Sequence, residues 1–361
     1  MSVFSGSYQA DEVEFLLTPT TIEDTPIELK EHLIQTGQKH YSELLTLETL
    51  PEPDYITLFH KAMTLNQDQV AEHLLSLAQQ IVTTRPNGIT LVSLARAGTP
   101  IGVLLKHILR IYSNINVPHY SISILRDVGL DPVALDYILQ RHAPESLVFV
   151  DGWTGKGIIA EQLADSLAEF KALSGVEIPA ELYVLADLCG KAKVAATTED
   201  YLIPSCILNS TISGLVSRSI NNKSKANDFH GCVYYEQYSE HDLSRYFIET
   251  ILGRVAELWP HFTYQDQSID DSDNARQAKS EQFIADLMNR YIVSHKNYIK
   301  PGIGESTRVL LRREARLLIL KDLESAATQH LRWLAESKAI PIQVINDMPY
   351  QAIALIKEIK P

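Results

Sequence analysis

Cysteine is scarce in this chain. Cys189, Cys206 and Cys232 are the three among 361 residues, and their spacing is irregular. That is too few for a disulfide framework and offers no paired spacing for a zinc ribbon, so reduced thiols are expected. Long apolar runs are missing as well. No stretch of about 18 apolar residues is present to cross a bilayer. The opening MSVFSGSYQADEVEF has neither a basic start nor an apolar centre, so a cytoplasmic protein with no membrane partner is expected. Positive charge is in deficit: 32 Lys and Arg against 45 Asp and Glu leave a net charge of −13, which argues against broad non-specific nucleic-acid binding. There is no internal repeat, so a solenoid is excluded.

A hydrophobic fraction of 45% over this length supports two or three packed domains. The stretch LVFVDGWTGKG (147–157) organises the first of them. Its apolar run reads as a buried strand, and Ile159, Leu163 and Leu167 then mark a helix face. Between them lies a loop with Gly152, Gly155 and Gly157. A strand, a glycine loop and a helix start together present backbone N–H groups and a positive helix end to an anion. The P-loop pattern fails, because Val150 stands at its first glycine and Gly157 at its hydroxyl residue.

The same logic recurs upstream. In ITLVSLARAGTPIGVLLKHIL (89–109) a strand runs into a small-residue loop with Arg96, Ala97 and Gly98, and Thr99-Pro100 reads as a helix start. Val70, Leu74, Leu77 and Ile81 place an amphipathic helix over 66–84, with LPEPDY (50–55) as a breaker before it. HYSISILRD (119–127) alternates like a strand and ends at Arg126 and Asp127; ELYVLADLCG (181–190) is a further buried strand. The order predicts a doubly wound parallel sheet with ligands at the carboxyl ends of its strands. Segments 28–50 and 241–259 read as helical. The polar stretch 264–280 reads as linker, and beyond it come a helix from Glu281, a strand at 340–345 and a short helix at 348–359.

Taken together, residues 90–157 resemble the nucleus of a type I phosphoribosyltransferase, with SLARAGTPIG at its pyrophosphate loop and FVDGWTGKG at its phosphoribosyl-diphosphate (PRPP) loop. Asp151, Thr154 and Gly155 match that loop, which here is shorter and has one acid instead of two. The wording SGSYQADEVEFLL, SISILRD, FVDGWTGKG, SGLVSRS and DFHG, over about residues 5–255, resembles a narrower bacterial family. It is the phosphoribosyltransferase-like, StiP-type family of tellurite-resistance and stress gene neighbourhoods, which also carries the label cysteine protease. The C-terminal KPGIGESTRVLLRR resembles an L7Ae/Pelota-type RNA-binding domain through Gly302, Glu305, Thr307 and Arg308.

These resemblances imply an α/β fold: a type I phosphoribosyltransferase-like parallel sheet flanked by helices, plus a smaller α/β/α Pelota-like domain. They divide the chain into an N-terminal extension or hood (1–65), a phosphoribosyltransferase-like domain (66–260), a linker (261–280) and an RNA-binding domain (281–361). The implied reaction displaces pyrophosphate from PRPP by a nitrogen nucleophile, with Mg²⁺ on the diphosphate, to give an N-glycosidic, nucleotide-like product. Catalysis would then be charge placement and orientation. The implied cofactor-binding set is Arg96, Ala97, Gly98, Asp151, Gly152, Trp153, Thr154, Gly155, Lys156 and Gly157.

Asp151, Arg126, Asp127 and His230 are the candidate catalytic residues. Strand-end ion pairing stands as the alternative for Arg126 and Asp127, and backbone capping as the alternative for His230 with Asp228. Arg218 is a candidate phosphate or acceptor contact, or else a helix-end charge. Structured RNA would meet Lys300, Gly302, Glu305, Arg308 and Arg312, where a basic set extends to Arg313 and Arg316. A solvated helix face is the plainer reading. No metal ligands are assigned, and a homodimer is expected by analogy. Two other functions compete: a cysteine peptidase, although nothing here has papain-like or caspase-like wording, and a non-catalytic, nucleotide-sensing RNA-binding regulator.

Overall fold

Alternation along the central strands sets the architecture of a computed structural model that describes residues 4–221, 227–264 and 272–358. Side chains of a strand point alternately to opposite faces. Leu91, Val148, Val150, Tyr183 and Leu185 accordingly join one core, and Val92, Phe149 and Val184 join the other. A sheet with both faces apolar must be covered on both sides.

The chain begins with β1 (Glu14–Leu16), the two-residue β2 (Thr18–Pro19), α1 (Ile27–Gln35) and the long α2 (Pro53–Thr84). Then follow β3 (Thr90–Ala95), α3 (Gly98–Tyr112), β4 (His119–Leu125), β5 (Gly129–Leu130), α4 (Pro132–Leu139), β6 (Leu147–Thr154), α5 (Ile158–Ser174), β7 (Leu182–Asp187) and β8 (Val194–Thr197). The sheet order is β1-β4-β3-β6-β7-β8, every neighbour parallel, with β5 antiparallel on β4. The short β9 (Gly231–Cys232) pairs with β2. Helices α2, α3 and α6 (Ser244–Leu258) supply Leu74, Leu104 and Phe247 to the first core. Helices α4 and α5 supply Leu135 and Leu163 to the second. A mainly parallel sheet flanked by helices is therefore present.

The C-terminal part comprises α7 (Ser272–Tyr291), β10 (Ile299–Pro301), α8 (Ile303–Arg312), β11 (Ala315–Leu320), α9 (Gln329–Ser337), β12 (Ile342–Val344) and β13 (Ala352–Ile356). Its sheet runs β10-β13-β11-β12, and only β11–β12 is parallel. Its apolar side chains Leu310, Leu318 and Ile353 belong to the same core as Tyr201 and Ile203 of the large sheet's side.

Four expectations differ from the observed fold. The helix expected over 28–50 ends at Gln35, and only the short turn Tyr41–Glu43 follows it. LPEPDY does not break a helix but starts one: Pro53 occupies the first turn of α2, where its missing N–H costs nothing. The expected boundary at residue 65 thus falls inside α2. Of the expected linker, 265–271 lie outside the described residues, and 272–280 form the first half of α7, whose Ile284 and Leu287 anchor it. The expected helix at 348–359 is instead strand β13, five consecutive buried residues between β10 and β11. A short apolar run fits a central strand as well as a buried helix, and neighbours decide.

Candidate functional site

The carboxyl ends of β3, β4 and β6 converge as a doubly wound sheet requires. What surrounds them is not the open loop that the sequence suggests. Residues 151–154 remain in β6, where Asp151, Trp153 and Thr154 pair in register with Val184, Ala186 and Asp187. Gly157 donates its N–H to Thr154 Oγ1 at 3.1 Å, and Gly155 O accepts the Tyr350 hydroxyl at 3.1 Å. Gly155 lies so near Pro301 that a Cβ there would sit 3.0 Å from its carbonyl oxygen. The C-terminal part closes over this loop.

Arg96 is likewise committed. Its guanidinium bonds Glu48, Asn209 Oδ1 at 2.6 Å and Val216 O at 3.1 Å, and Arg96 and Glu48 keep only 12% and 11% of their side chains exposed. Gly98 packs on β6, leaving no room for a Cβ beside Val150 O. Arg96 with Ala97 and Gly98 therefore forms a structural corner of α3 and does not frame a pyrophosphate cradle. Glu48, the carboxylate that holds this corner, is not singled out by the sequence reading. It lies in the N-terminal extension, with no local pattern to mark it.

The candidate catalytic residues scatter. His230 is buried, with Nδ1 2.8 Å from Ser123 Oγ and its N–H on Asp131 Oδ2 at 2.5 Å, so it holds the fold. Asp127 is exposed at a positive φ of 62°, its carboxylate 3.6 Å from His40 Nε2. Arg218 donates to the carbonyls of Tyr41 and Leu44. Arg126 faces the strand ends, with its guanidinium 5.6 Å from the Tyr41 ring centre and its backbone N–H on the Tyr41 hydroxyl.

Asp151 is different. Burial pushes its carboxyl up to about 7 against a hydrogen bond from Gly152 N (2.8 Å) and the nearby Arg308 charge. Near it lie Glu305 and Arg308, and Lys156 and Lys300 lie within range of Glu305. Lys156 Nζ donates to Ile299 O at 2.6 Å and Lys296 O at 2.7 Å, and burial drives its pKa well below the usual lysine value. Burial lowers Lys300 to about 8. Glu305 lies 3.5 Å from Arg308 and 3.9 Å from Lys300; burial would raise its pKa, but those cations hold it low.

The other two expected RNA contacts face inward. Gly302, at φ +92°, packs on Leu188, and Arg312 is half-buried with its guanidinium on Ile207 O, desolvation taking it down to about 9. All three thiols are buried. Among the described residues no cysteine sulfur is hydrogen-bonded to a histidine, and no group of three or more His, Cys, Asp or Glu is placed to hold a metal ion. No described helix is long and apolar enough to cross a membrane.

Fold and site define a parallel α/β body whose strand-end loops are closed by a second, smaller α/β domain. Residues 6–252 match the family described as tellurite-like stress resistance cysteine protease StiP, and residues 278–358 match the PELOTA RNA binding domain. The chain belongs to the StiP family. A protein of Acinetobacter baylyi named cysteine protease StiP is 41% identical over 370 residues, spanning 99% of this chain and 95% of that protein. Solved structures of hypoxanthine phosphoribosyltransferase from Trypanosoma cruzi (17% identity) and of the hypoxanthine-guanine enzyme from Leishmania tarentolae with GMP (16%) overlap 36% of this chain and 77% of theirs. Their TM-score is 0.27, too low to carry an argument.

A phosphoribosyltransferase function, with PRPP as substrate and a nucleotide-like product, is thereby overturned. The full-length relative and the family both bear the name of a cysteine protease. The geometry agrees: the first half of the supposed phosphate loop, 151–154, is strand, and Arg96 is spent on Glu48.

Proposed function

We propose that this chain is a cysteine peptidase of the StiP type whose C-terminal domain engages RNA. The observation that carries it is the 41% identity, across 99% of the chain, with the Acinetobacter protein named cysteine protease StiP. The RNA-binding part is supported by the match of residues 278–358.

Cys206 is the best supported nucleophile. It ends the turn Pro204–Cys206 and lines a small hollow with Trp153, Asp200, Tyr201 and Gly304. Burial pushes its thiol up to about 12, but the guanidinium groups of Arg308 and Arg312 act in the opposite direction, toward thiolate. At Cys189 the Asp187 carboxylate adds to the effect of burial, and at Cys232 burial acts alone. A thiolate would attack the amide carbon, release the amine after proton transfer, and leave a thioester for water to hydrolyse. With the sulfur covered, attack requires the Trp153–Gly304 wall to part.

The test is hydrolysis of an unfolded protein substrate by the full chain and by Cys189→Ser, Cys206→Ser and Cys232→Ser. Loss confined to Cys206→Ser is expected. Undiminished hydrolysis by that variant sinks the assignment of Cys206. A second reading, a non-catalytic RNA-binding regulator that senses a nucleotide, is favoured by the burial of all three thiols. It predicts no hydrolysis by any form.

A further inference from the structure

Charged side chains gather where the strand ends of the large sheet meet the start of α8, and their charges do not balance. Arg126 follows β4, Lys156 follows β6, Lys300 lies in β10 and Arg308 in α8. Two carboxyl groups answer these four cations, and one of them, Asp151, is pushed by burial toward its neutral form. Glu305 is shared between Lys300 at 3.9 Å and Arg308 at 3.5 Å. Lys156 is satisfied by two carbonyls, and so positions β10 instead of reaching for a ligand. Arg126 has no carboxylate within ion-pair distance among the described residues, and its buried Nε has no hydrogen-bond partner.

Access remains. The side chains of Arg308 and Glu305 keep 34% and 28% of their surface open, and that of Lys300 keeps 12%. The Trp153 ring, with the Arg308 guanidinium 5.8 Å from its centre, sets an aromatic surface beside these charges. An excess of partly buried positive charge is costly unless an anion answers it. In a chain of net charge −13, a local excess of the opposite sign is not general surface character.

We infer that these side chains frame a cleft that binds the phosphate of a nucleotide unit, with Arg126 from the large domain and Lys300 and Arg308 from the small one as its cationic contacts. The inference rests on the RNA-binding part of the proposed function and deepens it. The RNA site is then shared by both domains, and the inward-facing Gly302 and Arg312 are not among its contacts. Phosphate reaches such a cleft either in single-stranded RNA or in a free nucleoside monophosphate.

The experiment is fluorescence anisotropy of a short labelled single-stranded RNA titrated with the full chain, and with adenosine monophosphate as competitor. Arg126→Glu and Arg308→Glu, on opposite walls, are each expected to weaken binding by at least about tenfold and to flatten the salt dependence by about one contact. Arg126→Lys is expected to retain most of the affinity. Lys321→Glu, beside a separate cavity of about 600 Å³, is expected to change it less than about twofold. Unchanged unfolding temperatures exclude loss of fold as the cause.

Displacement of the RNA by the monophosphate at micromolar level identifies the free nucleotide as the occupant; no displacement identifies RNA, and both support the site. Loss with Arg308→Glu but not with Arg126→Glu overturns the shared cleft. Binding that survives both overturns the site while leaving RNA binding by this chain intact. Equal displacement by polyglutamate also overturns it, since the cleft would then accept any polyanion. No RNA binding by the unsubstituted chain overturns the RNA reading; if adenosine monophosphate also leaves its unfolding temperature unchanged, the site is overturned as well.

Discussion

The Asp200 carboxylate accepts the backbone N–H of Ile303 at 2.8 Å, and with its second oxygen that of Gln351 at 2.8 Å. One side chain after β8 thus satisfies the first turn of α8 and the loop before β13. Burial pushes its carboxyl up to about 6 despite these bonds. Asp200→Ala leaves two donors unanswered in a covered contact and is expected to cost about 3 kcal/mol, read from urea unfolding.

The pH dependence of this residue has an unusual sign. With the folded value raised above 3.8, the native state holds more protons than the unfolded chain between about 4 and 6. Its contribution is full at low pH and is lost as pH rises through about 6. Asp200→Asn is expected to remove that fall, measured as the difference in unfolding free energy between variant and parent across the window. A difference that stays flat with pH contradicts the raised value.

Glu12 behaves in the opposite way. Burial would raise it, but His107 (2.8 Å), Gln9 N (2.8 Å) and Arg245 (2.6 and 2.8 Å) hold its carboxyl down to about 2. Its stabilisation is present above about 4.5 and is lost as pH falls toward 2. Arg245 is one-third exposed, so solvent screens part of the pair. Glu12→Gln is expected to cost roughly 2 kcal/mol near neutral pH and progressively less as pH falls from about 4.5 toward 2, by denaturant titration across that range.

Thiol accessibility gives a third check. Cys189, Cys206 and Cys232 are at most 3% exposed, and burial raises each thiol. A soluble disulfide reagent is expected to label far less than one thiol in the native chain over minutes, and all three in guanidinium. Fast native labelling of Cys206 alone would show that the wall over it opens readily.

Much of this architecture is written locally. The apolar runs at 89–94, 147–150 and 182–187 mark three central strands, because a sheet covered on both faces needs continuous hydrophobicity, and the alternation over 119–125 marks a fourth. The C-terminal helix start at 302–308 is marked by its own wording. Pairing over long distances is not written this way. Glu48 meets Arg96, and Asp200 meets Ile303, across segments whose sequences carry no sign of each other. That is why Arg96 reads as an anion contact in the sequence and is an ion-pair partner in the fold. Asp151, Lys156, Lys300, Glu305 and Arg308 were legible one by one, but their convergence depends on the small domain's docking.

The Glu48–Arg96 pair supplies the last test, one that separates a structural arginine from a ligand-binding one. Both side chains are nearly covered, and Glu48 also accepts Ser210 N–H at 2.9 Å. Burial would raise the Glu48 carboxyl, but the Arg96 charge and these hydrogen bonds hold it low. Removing one partner strands the other without water, so Glu48→Gln and Arg96→Met are each expected to cost about 3 kcal/mol or more. The double substitution removes both charges and is expected to cost clearly less than the sum, in a double-mutant cycle followed by urea unfolding. If Arg96→Met were instead neutral for stability, Arg96 would be held for a ligand after all. Additive losses would mean that the two charges, though adjacent, do not depend on one another.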